Sequence, residues 1–220
     1  LLIKYANLAL LWAKNDGKNK YRFYSSDIDL QNIKQFKLRN DLRSAVENNQ
    51  FKIYYQPIVN LNTGEILAAE ALIRWEHPDW GIVIPDEFIP LAEETGFIID
   101  IGSWLLRKIC GDYKRWISCG LPAIKISVNF SSIQFYENNF VEKIKNIIDG
   151  FQLDPHFLIM DIKESVLIKR ANHAIPDIIR LQSFGIQIAL DNFGTGFSSL
   201  SCLNLLNIDI LKIDKPLIKN

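Results

Sequence analysis

Five short apolar runs in this chain each end on a residue that binds metal or handles protons. They are Ile66–Ala69 before Glu70, Ile124–Val128 before Asn129, Phe157–Met160 before Asp161, Ile186–Leu190 before Asp191, and Ile208–Leu211 before Lys212. A strand inside a parallel sheet is covered on both faces and reads as such a run. The C-terminal ends of parallel strands are where a (β/α) barrel carries its chemistry. The ordered recurrence constrains the chain to a parallel sheet that builds one polar site from many strands.

The connections have the matching grammar. Residues 1–14 read as an amphipathic helix, 15–19 as a turn, and Lys20–Tyr24 as a short strand. Ser25–Leu30 is polar and linker-like, and a helix fits Gln31–Asn48. Phe51–Asn60 and Glu65–Trp75 are strands joined at Asn62-Thr63-Gly64, which predicts an antiparallel pair. Helices follow over Asp86–Thr95, stopped by Gly96, and over Ile98–Cys119. Strands over 124–130, 157–163, 186–191 and 208–214 then alternate with helices over 134–149, 171–184 and 198–206, the signature of parallel βαβ units. That makes six strands, against about eight strands and about 250 residues for a closed barrel.

Composition narrows the class. The chain has 220 residues, 48% of them hydrophobic, enough for a substantial α/β core. Lys+Arg and Asp+Glu both count 25, so bulk charge gives no reason to expect long nucleic acid or an anionic membrane as partner. No apolar run approaches the roughly 18 residues of a membrane span, and no signal peptide is visible. Cys110, Cys119 and Cys202 have no metal-site spacing and read as free thiols of a cytoplasmic protein. The start at Leu1, inside a helical pattern, reads as a fragment of a longer chain whose missing N-terminal region is where a membrane anchor would lie.

Glu70, Asn129, Asp161 and Asp191 are all oxygen donors, a set that suits Mg²⁺ or Mn²⁺ rather than zinc. Lys212 adds a cation that either positions a water or neutralises a phosphate. The stretch 191–199, DNFGTGFSS, combines a glycine turn with hydroxyls that cap a following helix. Arg74 lies an even number of residues from Glu70, hence on the same strand face, where it reads as a phosphate clamp.

Glu70-Ala71-Leu72 within EALIRW and GIVIPDEFIPLAEETGFI at 81–98 resemble the EAL family of cyclic-di-GMP phosphodiesterases. The likeness continues through YYQPIVNLNTGEI (54–66), VNFSS (128–132), DNFGTGFSSL (191–200) and LKID (211–214), and covers residues 35–220. Residues 1–24 resemble the C-terminal end of a GGDEF (diguanylate cyclase) domain, with 25–34 as linker and helix start. The resemblance implies a (β/α)₈ TIM-like barrel with an initial antiparallel strand, here read as stopping before the last two βα units. It implies linearisation of cyclic-di-GMP to 5′-pGpG with two Mg²⁺ or Mn²⁺ ions. Glu70, Asn129, Asp161 and Asp191 match ligands of the first ion, and Asp191 and Asn192 the pair that holds the second. Lys212 matches the lysine on the attacking water. Gln56, Leu72, Arg74 and Asp214 match substrate contacts, and Glu164 the brace of the loop containing Gly194 and Gly196. A homodimer through barrel helices is a further expectation.

Three positions depart from the family pattern. Asp161 stands where a glutamate is usual, one methylene shorter. Asn192 replaces an aspartate, leaving the second ion one charge poorer. Lys163 replaces a threonine: beside the site it competes with metal for the carboxylates, and pointed outward it is harmless. With the absent C-terminal units, these changes imply weak or no turnover, and the alternative is a degenerate module that binds cyclic-di-GMP or a protein without hydrolysis.

Overall fold

The computed structural model describes residues 2–15, 19–21, 23, 26–194 and 207–218. Its elements run α1 (Leu2–Asn15), α2 (Ser26–Glu47), β1 (Phe51–Val59), β2 (Ile66–His77), β3 (Gly81–Val83), α3 (Pro85–Thr95), α4 (Ile98–Ser118), β4 (Lys125–Phe130), α5 (Phe140–Phe151), β5 (Leu158–Lys163), α6 (Glu164–Phe184), β6 (Gln187–Phe193) and β7 (Ile210–Ile213). The strands form one sheet in the order β1-β2-β4-β5-β6-β7, with β3 attached to β2. The β1–β2 and β2–β3 pairs are antiparallel, and every later pair is parallel. No helix among the described residues is long and apolar enough to cross a membrane.

Strand alternation sorts the side chains. On one face Ala69, Ala71, Ile126, Val128, Leu158, Met160, Ile162, Ile188 and Leu190 pack with Leu106, Ile109, Val141, Ile148, Ile178 and Leu181 of α4, α5 and α6. Each such Leu or Ile, fully buried, contributes about 1.5–3 kcal/mol. A second cluster joins Leu38, Leu42 and Ala45 of α2 to Phe51, Ile73, Trp75 and Phe88. The opposite, inner face carries a small apolar layer among the described residues, Ala68, Ile159 and Ala189 with Ile58 and Ile210. Beyond that layer, toward the strand C-termini, the inner positions are polar.

α2 is fixed to the sheet by more than apolar contact. Asp41 meets the buried His77 ring at Nε2, 3.1 Å away, while His77 Nδ1 accepts from the Asp79 backbone N–H. Lys37 and Lys34 pair with Asp79 and Glu87. On the far side of β1, the Tyr55 hydroxyl donates to Asp112 at 3.1 Å, and its ring meets Trp116 edge-on. Asp112 also accepts from Arg115 at 3.0 Å. This cluster anchors β1 against α4.

Several expected boundaries move. The segment read as a linker over Ser25–Leu30 is helical from Ser26, because Ser and Asp are also the residue types that open helices. The helix expected over 134–149 divides into a 3₁₀ turn, Gln134–Tyr136, and α5, since Asn139 takes the left-handed conformation at φ 63°. α6 begins at Glu164 rather than 171 and continues through Pro176. Of the strand expected at Lys20–Tyr24, the described residues Lys20, Tyr21 and Phe23 lie in no strand, with Tyr21 and Phe23 exposed against each other, and Arg22 and Tyr24 lie outside the described residues. A lone strand without a partner has no ladder to join. β3 raises the strand number to seven. Cys110 is buried and Cys119 exposed, both free thiols, and burial pushes Cys110 up to about 12. The helix expected over 198–206, Cys202 and Gly196 lie outside the described residues.

The Tyr55–Asp112 contact gives a pH signature. Burial, reinforced by the Asp112 charge, raises the Tyr55 phenol above its ordinary value. A folded-state value above the unfolded one stabilises fully below about pH 10, and that stability is lost as pH climbs beyond it. Tyr55→Phe should therefore cost about 1–2 kcal/mol at neutral pH. In urea titrations its deficit against the wild type should shrink above about pH 10; a constant deficit through that range contradicts the assignment.

Candidate functional site

The inner polar positions converge because the strand register stacks them. Glu70 of β2 is in register with Ser127 of β4, and Asn129 of β4 with Asp161 of β5. Asn129 donates from Nδ2 to Glu70 Oε1 at 2.7 Å. Ser127 Oγ donates to Asp161 Oδ2 at 2.5 Å. From β7, Lys212 Nζ donates to Asp161 Oδ2 at 2.5 Å and to Ser127 Oγ at 3.0 Å, and it lies 3.6 Å from Glu70 Oε2. One ammonium thus touches side chains of three other strands.

Asp161 is the most buried acid of the group, with a fully buried side chain. Burial pushes its carboxyl above its ordinary value, against the pull of the Lys212 ammonium and the Ser127 hydroxyl. Its two oxygens are unequal. Oδ2 takes both donors, and Oδ1 is buried with no hydrogen-bond partner. An orphaned carboxylate oxygen beside Glu70 and Asn129 is an electron-pair donor placed where a hard cation fits. Among the described residues, however, no three His, Cys, Asp or Glu side chains form a metal cage by themselves. A cation here relies on the Asn129 carboxamide oxygen as well as the acids.

Other candidates lie around this group. Gln56 sits directly across from Glu70, Tyr54 from Leu72, and Lys52 from Arg74. Arg74 is turned so that Nη1 donates to its neighbour's carbonyl, Ile73 O, at 2.8 Å. Asp191 pairs in register with Lys163, so Lys163 lies on the site face rather than pointing away from it. Asp214 caps the 3₁₀ turn Lys215–Leu217, accepting from the Lys215 backbone N–H at 2.7 Å. Glu164 opens α6, and its side chain lies outside the described set.

Asn192 departs from strand geometry. Its φ is 58°, and the β6–β7 ladder slips between Leu190 and Phe193. Regular alternation would send residues 191 and 192 to opposite faces; a slip with a left-handed residue releases them from that rule. Gly194 follows at φ 95°, and a Cβ there would stand 2.3 Å from Leu217 Cδ1. Gly194 is therefore seated against the turn after β7.

Ser127 and Leu217 were not among the sequence candidates. Ser127 had a signal: it is the one hydroxyl within the run Ile124–Val128 and lies two positions before Asn129, hence on its face. Nothing local marks Leu217, whose role depends on a contact between loops.

Residues 39–220 match the family model described as EAL domain. The chain is 38% identical over 213 residues to the bifunctional diguanylate cyclase/cyclic di-GMP phosphodiesterase MucR of Pseudomonas aeruginosa, covering 97% of this chain and 31% of that protein. It is 34% identical over 217 residues to the cyclic di-GMP phosphodiesterase NbdA of the same organism, covering 99% of this chain and 28% of that protein. The chain thus spans under a third of the length of these relatives. A solved structure of the PaMucR phosphodiesterase in complex with c-di-GMP superposes with a TM-score of 0.79 at 38% identity, covering 83% of this chain and 74% of that one.

Two stability outcomes follow from the site geometry. Ser127→Ala should cost about 1–2 kcal/mol in urea unfolding, because it strips a donor from a buried carboxylate. Gly194→Ala should cost about 1–2 kcal/mol for its left-handed backbone alone, plus the overlap with Leu217. Adding Leu217→Ala should recover the overlap portion; a double variant no better than the sum of the two singles would refute the contact.

Proposed function

Because the chain belongs to the EAL domain family, we propose that it recognises cyclic-di-GMP at the C-terminal rim of β2, β4, β5, β6 and β7, with a divalent cation as cofactor. The observation that carries this reading is the linked group of Glu70, Asn129, Ser127, Asp161 and Lys212, drawn from four strands. Relatives whose names specify cyclic di-GMP phosphodiesterase activity support the substrate. Their alignment across 97–99% of this chain, beyond the 39–220 family match, supports reading residues 1–24 as the end of a preceding GGDEF domain.

In this reading Glu70, Asn129, Asp161 and Asp191 hold Mg²⁺ or Mn²⁺. When bound, the cation supplies a Lewis acid for the phosphodiester. Lys212 holds the attacking water beside Asp161. The new P–O bond forms as the bond to the 3′ oxygen breaks, and that oxygen takes a proton to give 5′-pGpG. Arg74 faces a phosphate, Gln56 and Leu72 line the nucleotide, and Asp214 meets a guanine. Glu164 would brace the loop containing Gly194 and Gly196. The helices covering the outer face are the surface for a homodimer, and the parent protein works in the cytoplasm.

A second reading, nucleotide binding without turnover, is favoured by Asn192 and the short Asp161. An amide lends a lone pair but no charge, and loss of one of two cooperating cations costs on the order of 4 kcal/mol in the barrier. Incubation with cyclic-di-GMP and Mn²⁺, followed by nucleotide separation, decides between them. We expect retained binding with little pGpG, and a gain of roughly 100-fold or more, about 2.7 kcal/mol, when Asn192→Asp and Asp161→Glu are combined. Wild-type turnover as fast as that of the double variant would sink the degenerate reading, and no nucleotide binding at all would sink both.

A further inference from the structure

β5 continues past Asp161 to Lys163, which is still extended at φ −71°, ψ 141°. Strand alternation therefore returns the Lys163 side chain to the face that carries Asp161. Across the ladder its partner is Asp191. Lys163 is exposed at the rim, and it forms no ion pair among the described residues.

The other cations of this face already have partners. Lys212 is held by Asp161 and Ser127, and Lys125 donates to Gln187 at 2.6 Å at the opposite strand ends. Arg74 donates to Ile73 O, and Lys52 lies 3.7 Å from Glu76. A second divalent ion beside Asp191 would meet one carboxylate, the neutral Asn192 amide and the Lys163 ammonium. The charge balance at that corner opposes a metal and favours an anion.

We propose that Lys163 takes the place of a second cation: the chain holds a single divalent ion, and Lys163 meets a phosphodiester oxygen of the nucleotide directly. This deepens the cyclic-di-GMP reading and rests on it. An ammonium on a flexible stem binds phosphate as a point charge and tolerates small shifts of its partner. It neutralises one unit of phosphate charge where a metal ion would supply two.

The test pairs a metal count with a nucleotide affinity. Equilibrium dialysis of the protein with Mn²⁺ alone should find one ion per chain, and the combined Lys163→Thr, Asn192→Asp variant should bind a second. Calorimetry with cyclic-di-GMP should show Lys163→Ala weakened about 10–100-fold and Lys163→Arg close to wild type. Circular dichroism checks that Lys163→Ala remains folded, as its exposure leads us to expect. A wild-type count other than one, or unchanged nucleotide affinity in Lys163→Ala, overturns the proposal. A wild type that binds no cyclic-di-GMP overturns the functional reading instead, and the nucleotide-free Mn²⁺ count still decides the metal half.

Discussion

The ammonium of Lys212 is the contact on which the inner face depends. It reaches from β7 across β6 to Asp161 of β5, to Ser127 of β4 and toward Glu70 of β2. Without it, a carboxylate with no solvent exposure would lie beside another carboxylate, with only a serine hydroxyl to offset the charge. Removing one partner of a buried ion pair typically costs about 3–5 kcal/mol, because the other is left uncompensated. The same contact explains how a sheet with polar inner positions holds its strand order. The outer face is set by apolar packing with the helices, and the inner face by one cation shared among acids.

The legible part of the sequence was the part governed by period two. Apolar runs located β2, β4, β5, β6 and β7, and the residue ending each run marked where polarity begins. Glu70, Asn129, Asp161 and Lys212 emerged as one bonded group for that reason. Ser127 escaped because a hydroxyl inside an apolar run resembles an ordinary strand residue until its register with Asp161 is known. The start of α2 escaped because a polar first turn looks like a linker. The left-handed Asn192 and the Gly194–Leu217 approach arise from a ladder slip and a loop contact, and neither has a sequence period.

A site that will hold a cation must keep oxygens short of partners until the cation arrives. Asp161 Oδ1 is such an oxygen, buried and unmatched. Its cost to the fold is borne by the surrounding core, including the apolar layer of Ala68, Ile159 and Ala189 directly beneath. On the proposed reading, metal binding and folding would be coupled here, since an ion that met Oδ1 would also relieve the folded state.

The shortened acid and the neutral Asn192 alter that balance in the same direction. A glutamate at position 161 would carry its carboxylate one methylene further from the backbone, toward the rim and water. Asp161 instead stays beside Ser127, where the Lys212 bond is strong and access is poor. An aspartate at 192 would add a second charge beside Asp191, and like charges so close raise the cost of the empty site. With Asn192 and Lys163 in place, the rim loses that repulsion and needs less metal to be stable. On the proposed reading of binding without turnover, these residues would exchange catalytic charge for a quieter folded state.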